Sequence, residues 1–296
     1  MIIHMKLWIS LLGLVMSVSA MAQGTLRQGL EDSYSVWRKA MVSRDVEAWK
    51  RTTAEHRRVE IKNKVVSEKR EFPRAVFDVP APPPSLTGLK FLDANEKGRT
   101  AKALYYGKVD FGVGGSPSDN LLVLSFVKGG NAWLYDKADF VNLEALPEVR
   151  KELAAGDLKY LKETPECQAT GVVPATPVEV SVAPYIAKVY VFCPGRQVQV
   201  QVNKISRHLF TNAKDSEVVI GGAKEGLNEV QYSLKPIEGG TGKEAMTVRV
   251  YLMSQVPGVQ PIKIYENQVN EGQTPNPSGT GHFDVNAEVI KRLNGR

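Results

Sequence analysis

The sequence predicts a two-part chain: an α+β domain followed by an all-β domain of sandwich type. Two observations predict this. Apolar residues recur at helical spacing from Leu26 to Met41, and the pattern changes to alternation from Leu89 onward. From Val178, seven short strand-like runs follow one another about every ten residues, with Gly, Pro or Asn between them. The length of 296 residues and a composition of 43% hydrophobic and 24% charged residues suit two folded domains, not a disordered chain.

Residues 1–22 read as a secretory signal. Lys6 supplies positive charge, Leu7 to Val18 is an apolar core, and Ala20-Met21-Ala22 has the small-x-small form of a cleavage site. The apolar core is shorter than the about 20 residues that cross a bilayer, so cleavage before Gln23 is expected rather than anchoring. The mature protein is then exported, periplasmic or extracellular, with no stable membrane insertion. Neither Cys167 nor Cys193 stands directly after the cleavage site, which argues against a lipid anchor. The net charge of +6 is modest and loses Lys6 with the signal. It does not point to nucleic acid; solubility explains it, with attraction to anionic envelope material as the functional alternative.

Residues 25–66 read as helices. Leu26, Leu30, Tyr34, Trp37 and Met41 mark one apolar face, and Asp45 is placed to cap a second helix carrying Val46 and Trp49. A third helix, Glu55 to Val66, carries Arg57, Arg58 and Lys62 on its basic side. The run Pro80-Ala81-Pro82-Pro83-Pro84 ends the helical region. Leu89 to Leu92 reads as a strand, with a turn at Asn95 to Gly98. Ala101 to Phe111 alternates, Gly112 to Asn120 reads as a loop, and Leu121 to Val127 is a strongly apolar strand. Gly129-Gly130-Asn131 turns the chain into Ala132 to Phe140.

Helix, Ser43-Arg44-Asp45-Val46-Glu47-Ala48-Trp49, helix, and then strands through Gly129-Gly130-Asn131-Ala132-Trp133 to Asp139-Phe140 resemble the NTF2-like superfamily, with its ketosteroid-isomerase-like and SnoaL-like members. The resemblance covers about residues 25–145 and implies a curved antiparallel sheet packed on helices, with an apolar pocket at its mouth. It implies homodimerisation through this domain. It makes Tyr34, Trp37, Tyr105, Tyr106 and Trp133 candidate ligand-binding residues. An isomerase in such a pocket needs a carboxylate base and a tyrosine or acid for the oxyanion. Tyr105, Tyr106, Asp110 and Asp136 have the right chemistry, but their spacing assigns no roles, so no catalytic residue is named.

Residues 146–177 read as a helical connector and a Pro/Thr-rich linker, 178–266 as the sandwich, and 267–296 as a flexible tail with a short helix capped by Asp284. In Gln197 to Val202, Gln and Val alternate strictly, so one face is buried and the other is wet. The strand spacing resembles an Ig-like β-sandwich in architecture only. Two cysteines in an oxidising compartment suggest a Cys167–Cys193 disulfide, worth about 3.5 kcal/mol in the chain-entropy model.

The histidines of the mature chain, His56, His208 and His282, have no partner at ligand spacing, so no metal is expected. His56 reads as a solvated helix residue and His282 as part of a flexible loop. No cofactor motif is found. Gly239-Gly240-Thr241-Gly242-Lys243 lacks the first glycine and the hydroxyl residue of a phosphate loop and reads as a hairpin turn. Arg57, Arg58 and Lys62 are a candidate anion patch, with a mixed solvated face as the plainer reading. These features lead to an expected function: a non-catalytic binding or assembly protein of the cell envelope. It would act through protein or glycan contacts, with a small apolar ligand possible in the first domain. The alternative is a pocket acid/base enzyme in that domain.

Overall fold

The computed structural model describes residues 4–110 and 117–296, with side chains from Gly24 onward. Over the expected signal, residues 1–3 and all side chains lie outside what is described, as does most of the expected Gly112–Asn120 loop. The chain is α+β and divides into two compact units, Met1–Val59 with Val76–Pro177, and Glu60–Ala75 with Val178–Arg296. Among the described residues, no helix is long and apolar enough to cross a membrane.

The first unit contains α1 (His4–Ser43), α2 (Val46–Thr52) and the start of α3 (Glu55–Ser67). These precede an antiparallel meander of β1 (Lys90–Lys97), β2 (Thr100–Val109), β3 (Ser118–Gly129) and β4 (Ala132–Asn142), in spatial order 1-2-3-4. Asp45 caps α2, its carboxylate accepting from Ala48 N at 2.9 Å. The predicted apolar stripe of α1 is inside: Leu30, Tyr34, Trp37 and Met41 are all buried. Trp37 stacks on Tyr135 of β4 at 3.7 Å between centroids, and Tyr34 and Phe126 close around the same ring. Such ring pairs add about 0.5–1.5 kcal/mol each beyond the area they bury.

Strand β3 is apolar on both faces because both faces are covered. Leu121 and Val123 pack with Leu153, Leu161 and Cys167 of the segment that follows the sheet. That segment holds α4 (Pro147–Ala155) and α5 (Lys159–Glu163), whose apolar residues form a second layer on the first sheet. Strand β1 runs on through the expected turn at Asn95. The Asn95 side chain accepts from Ala169 N and donates to Cys167 O, which holds the strand straight to Lys97. The turn falls at Gly98, in the left-handed region at φ 55°.

The second unit places eight strands in two four-stranded antiparallel sheets. They are β5 (Ile186–Phe192), β6 (Arg196–Val202), β7 (Ser206–Thr211), β8 (Lys214–Val218), β9 (Gly226–Pro236), β10 (Met246–Met253), β11 (Ile262–Val269) and β12 (Ser278–Val285). The sheet orders are β11-β10-β5-β8 and β12-β9-β6-β7. Val189 and Val191 from one sheet and Val198, Val200 and Val202 from the other are all 0% exposed in one shared core. Two sheets closing on one apolar layer is a sandwich arrangement.

Several expectations are corrected here. Val178 to Val182 joins neither sheet. Instead Asn63 of α3 donates to Val178 O and accepts from Val180 N, satisfying this extended segment from a helix. The expected hairpin at Gly239–Lys243 joins β9 to β10, which lie in different sheets, so it is a crossover. The stretch up to His282 contains strand β12, not loop alone. Its inward positions are Gly279, Gly281, Phe283 and Val285, and the rings of Tyr232 and Tyr265 fill the space over the two glycines. Asp284 lies in β12. The last helix, α6 (Ala287–Leu293), is capped by Asn286, whose side chain accepts from Glu288 N and Val289 N.

The expected disulfide is absent. Cys167 and Cys193 are free thiols, each buried in its own unit's core. Burial pushes the Cys167 thiol up to about 11 and raises that of Cys193 as well, so both behave as small apolar residues.

Candidate functional site

The candidate ligand-binding residues of the first unit do not converge on one cavity. Tyr34, Trp37 and Tyr105 are buried in the layer between α1 and the sheet. Tyr106, next along β2, faces the opposite side of the sheet and packs with the Leu153 cluster. Trp133 is half-buried at the start of β4, with the Lys128 ammonium 5.4 Å above its ring. Beside α1 runs an open groove of about 560 Å³, walled by Arg27, Glu31, Tyr34 and Arg38 on the helix and by Ser85 to Thr87 opposite.

The hydroxyls of Tyr34, in the groove wall, and of Tyr105, buried behind it, are already engaged. Tyr34 donates to Pro84 O at 2.8 Å and Tyr105 donates to Glu31 Oε1 at 3.0 Å. Burial raises the pKa of both, and for Tyr105 the adjacent Glu31 carboxylate raises it further. Arg27 holds the same Glu31 oxygen at 2.8 Å. A hydroxyl donating to a carboxylate is not available to an oxyanion. Arg38 donates to Pro83 O, so the proline run is pinned along the helix by Tyr34 and Arg38.

The candidate anion patch is likewise engaged. Arg57 Nε donates to Asp136 at 3.1 Å, Arg58 to Lys50 O at 2.9 Å, and Lys62 to Glu179. His56 is buried, not solvated. Its Nε2 lies 2.8 Å from Asp136 Oδ1, with the imidazole 2% exposed. The sequence hid this pair because its members stand 80 positions apart.

His208 also has partners that its sequence neighbourhood did not announce. Its Nε2 lies 2.7 Å from Ser206 Oγ, its Nδ1 lies 2.6 Å from Glu217 Oε2, and Ser206 Oγ accepts from Ile220 N at 2.7 Å. A carboxylate only accepts, so in a neutral imidazole Nδ1 carries the hydrogen and Nε2 accepts from Ser206. The atoms match a nucleophile–base–acid relay. The setting does not, because Ser206 is 0% exposed and a substrate carbonyl cannot reach it. The relay is structural: β7 and β8 are edge strands of different sheets, and the hydrogen bonds tie those edges together.

The outer face of sheet β12-β9-β6-β7 presents chemistry to solvent. Register places Gln199 between Leu209 and Ser233, and Gln201 between Arg207 and Gln231. Gln231 continues to Thr280, and Ser233 to Ser278. With strands about 4.8 Å apart and alternate residues about 6.8 Å apart, these side chains form a grid. An open groove of about 380 Å³ crosses β6, β9 and β12, lined by Gln199, Gln201, Gln231, Ser233, Ser278 and Thr280, together with Gly279 and the mostly buried Tyr232. The six amide and hydroxyl side chains of Gln, Ser and Thr carry no charge. Charged groups stand at the border, where Gln231 donates to Glu229 at 3.0 Å and His282 lies 3.8 Å from the same glutamate. The Gln-Val alternation foretold the wet face, whereas the contributions of β9 and β12 needed the strand order.

Among the described residues, no group of three or more His, Cys, Asp or Glu side chains is placed to hold a metal. No family model, curated protein or solved structure matches this chain.

Proposed function

We propose that this chain is an exported, non-catalytic binding or assembly protein of the cell envelope, acting through the outer face of the sheet β12-β9-β6-β7. In this reading the second unit is an Ig-like sandwich and the first an NTF2-like unit that self-associates. The observation that carries the reading is the groove of six uncharged polar side chains presented to solvent across three strands. The groups that would suggest chemistry support it by contrast. Ser206 and His56 are buried, and the hydroxyls of Tyr34 and Tyr105 are committed to Pro84 and Glu31. The helix-then-meander order supports the NTF2-like assignment, and the single core between two four-stranded sheets supports the Ig-like one.

The test is native mass spectrometry of the mature protein isolated from its own envelope. The expected result is a bound partner mass that disappears in the variant Gln199→Ala/Gln201→Ala. A partner mass retained by that variant would remove the sheet face from the proposal.

The second reading is an acid/base enzyme at the α1 groove. The Tyr105–Glu31 hydrogen bond favours it, since it sets a buried phenol against a carboxylate that lines the groove. Turnover lost on Glu31→Gln, with folding intact, would establish it in place of the first.

A further inference from the structure

We infer that the groove on β6, β9 and β12 binds a neutral polysaccharide. The inference rests on the reading of this sheet face as the binding surface and names its ligand class. Each glutamine amide offers donors and an acceptor side by side, and each Ser or Thr hydroxyl both donates and accepts. Vicinal hydroxyls of a sugar have the same dual character, so amide and hydroxyl pair with them without a buried charge. Among the described residues, the amides of Gln199 and Gln201 are taken up by no other side chain.

The alternatives fit less well. A polyuronate, a sulfated chain or a nucleic acid brings a charge on every repeat and needs cations along the groove. The six amides and hydroxyls supply none, and the cations of this face, Arg207 opposite Gln201 and Lys235 opposite Gln197, flank the groove rather than line it. A protein partner with a stable footprint needs an apolar or aromatic centre, and here Tyr232 is only 8% exposed among amides and hydroxyls. At the edge of the groove the face also offers Leu209, cross-strand from Gln199 and 58% exposed. A sugar ring has an apolar C–H face as well as its hydroxyl rim, and Leu209 next to Gln199 matches both. The groove is open and crosses three strands, which suits a chain laid across the sheet more than one terminal sugar.

Affinity electrophoresis of the full mature chain tests this. Gels would contain a linear β-glucan, an α-glucan or a galactomannan, with polygalacturonate as the charged comparison. The wild type should be retarded in at least one neutral gel. Gln199→Ala/Gln201→Ala removes the amides of two exposed or half-buried positions. It should weaken binding about tenfold to hundredfold, from two lost net hydrogen-bonding sites, at an unchanged melting temperature. Lys188→Ala, on the other sheet, should bind as wild type.

Absence of retardation in all three neutral gels overturns the inference, as does retardation by polygalacturonate alone or undiminished binding by the double variant. If neutral gels fail while the native mass spectrum still shows a partner lost in the same variant, the binding face stands and the glycan assignment falls.

Discussion

The Ser206–His208–Glu217 relay is the sharpest place to separate architecture from chemistry. Ser206→Ala removes one hydroxyl that serves two buried groups: it accepts from Ile220 N at 2.7 Å and meets His208 Nε2 at 2.7 Å. Ser206 is 0% exposed and His208 4%, so water does not replace it without rearrangement. Each buried polar group left without a partner costs about 1–3 kcal/mol, so the substitution should destabilise the second unit by about 3 kcal/mol. A unit of this size unfolds with an entropy of about 0.3 kcal/mol/K, so the midpoint should fall by about 10 °C. Differential scanning calorimetry of the full chain reads that shift. A fluorophosphonate probe in parallel should leave Ser206 unlabelled. A midpoint moved by less than about 2 °C, against the about 10 °C expected, or covalent labelling of Ser206, would refute the reasoning, the second by showing a reachable nucleophile.

Further outcomes follow from the same structure. Alkylation without reductant should modify neither cysteine in the native protein and both after denaturation, because both thiols are free and buried; an intact mass two hydrogens light would restore the disulfide. Gly279→Ala would set a Cβ 2.6 Å from the ring of Tyr232, so it should destabilise the protein by about 1–3 kcal/mol and speed hydrogen exchange along β12; an unshifted melt would contradict the packing described. The Thr241 N–H, ahead of Glu244's own N–H and of Arg196, holds the Glu244 carboxyl at about 2 against an ordinary 4.5. A carboxyl lowered in the folded state stabilises above its unfolded value and loses that contribution as pH falls through the folded one. The melting gap between wild type and Glu244→Gln should therefore close from pH 4.5 toward pH 2, and a constant gap would refute the link.

What could be read in advance depended on how local each signal was. The α1 stripe, the Asp45 cap and the Gln197–Val202 strand are written in consecutive or helically spaced residues, and they stand in the structure as read. Strand β12 escaped because glycine reads as loop, and only the partner strand reveals that Tyr232 supplies the bulk that Gly279 lacks. His56 and Asp136 meet through tertiary packing of a helix against the sheet, which no spacing rule encodes. The cysteines were paired by count and compartment, a rule that carries no information about which core each enters. The grid on the sheet face lay between these cases. One row was visible in the alternation, while the rows from β9 and β12 depended on a strand order set by the whole second unit.

The proposed function makes the outer face of sheet β12-β9-β6-β7 the working surface. The direct measurement places a photo-crosslinking residue at Gln199, and separately at Lys188 on the other sheet, in the full chain expressed in its own cells. A discrete adduct is expected from position 199 and none from position 188. Adducts from 188 alone, or from neither position, would contradict the proposed function.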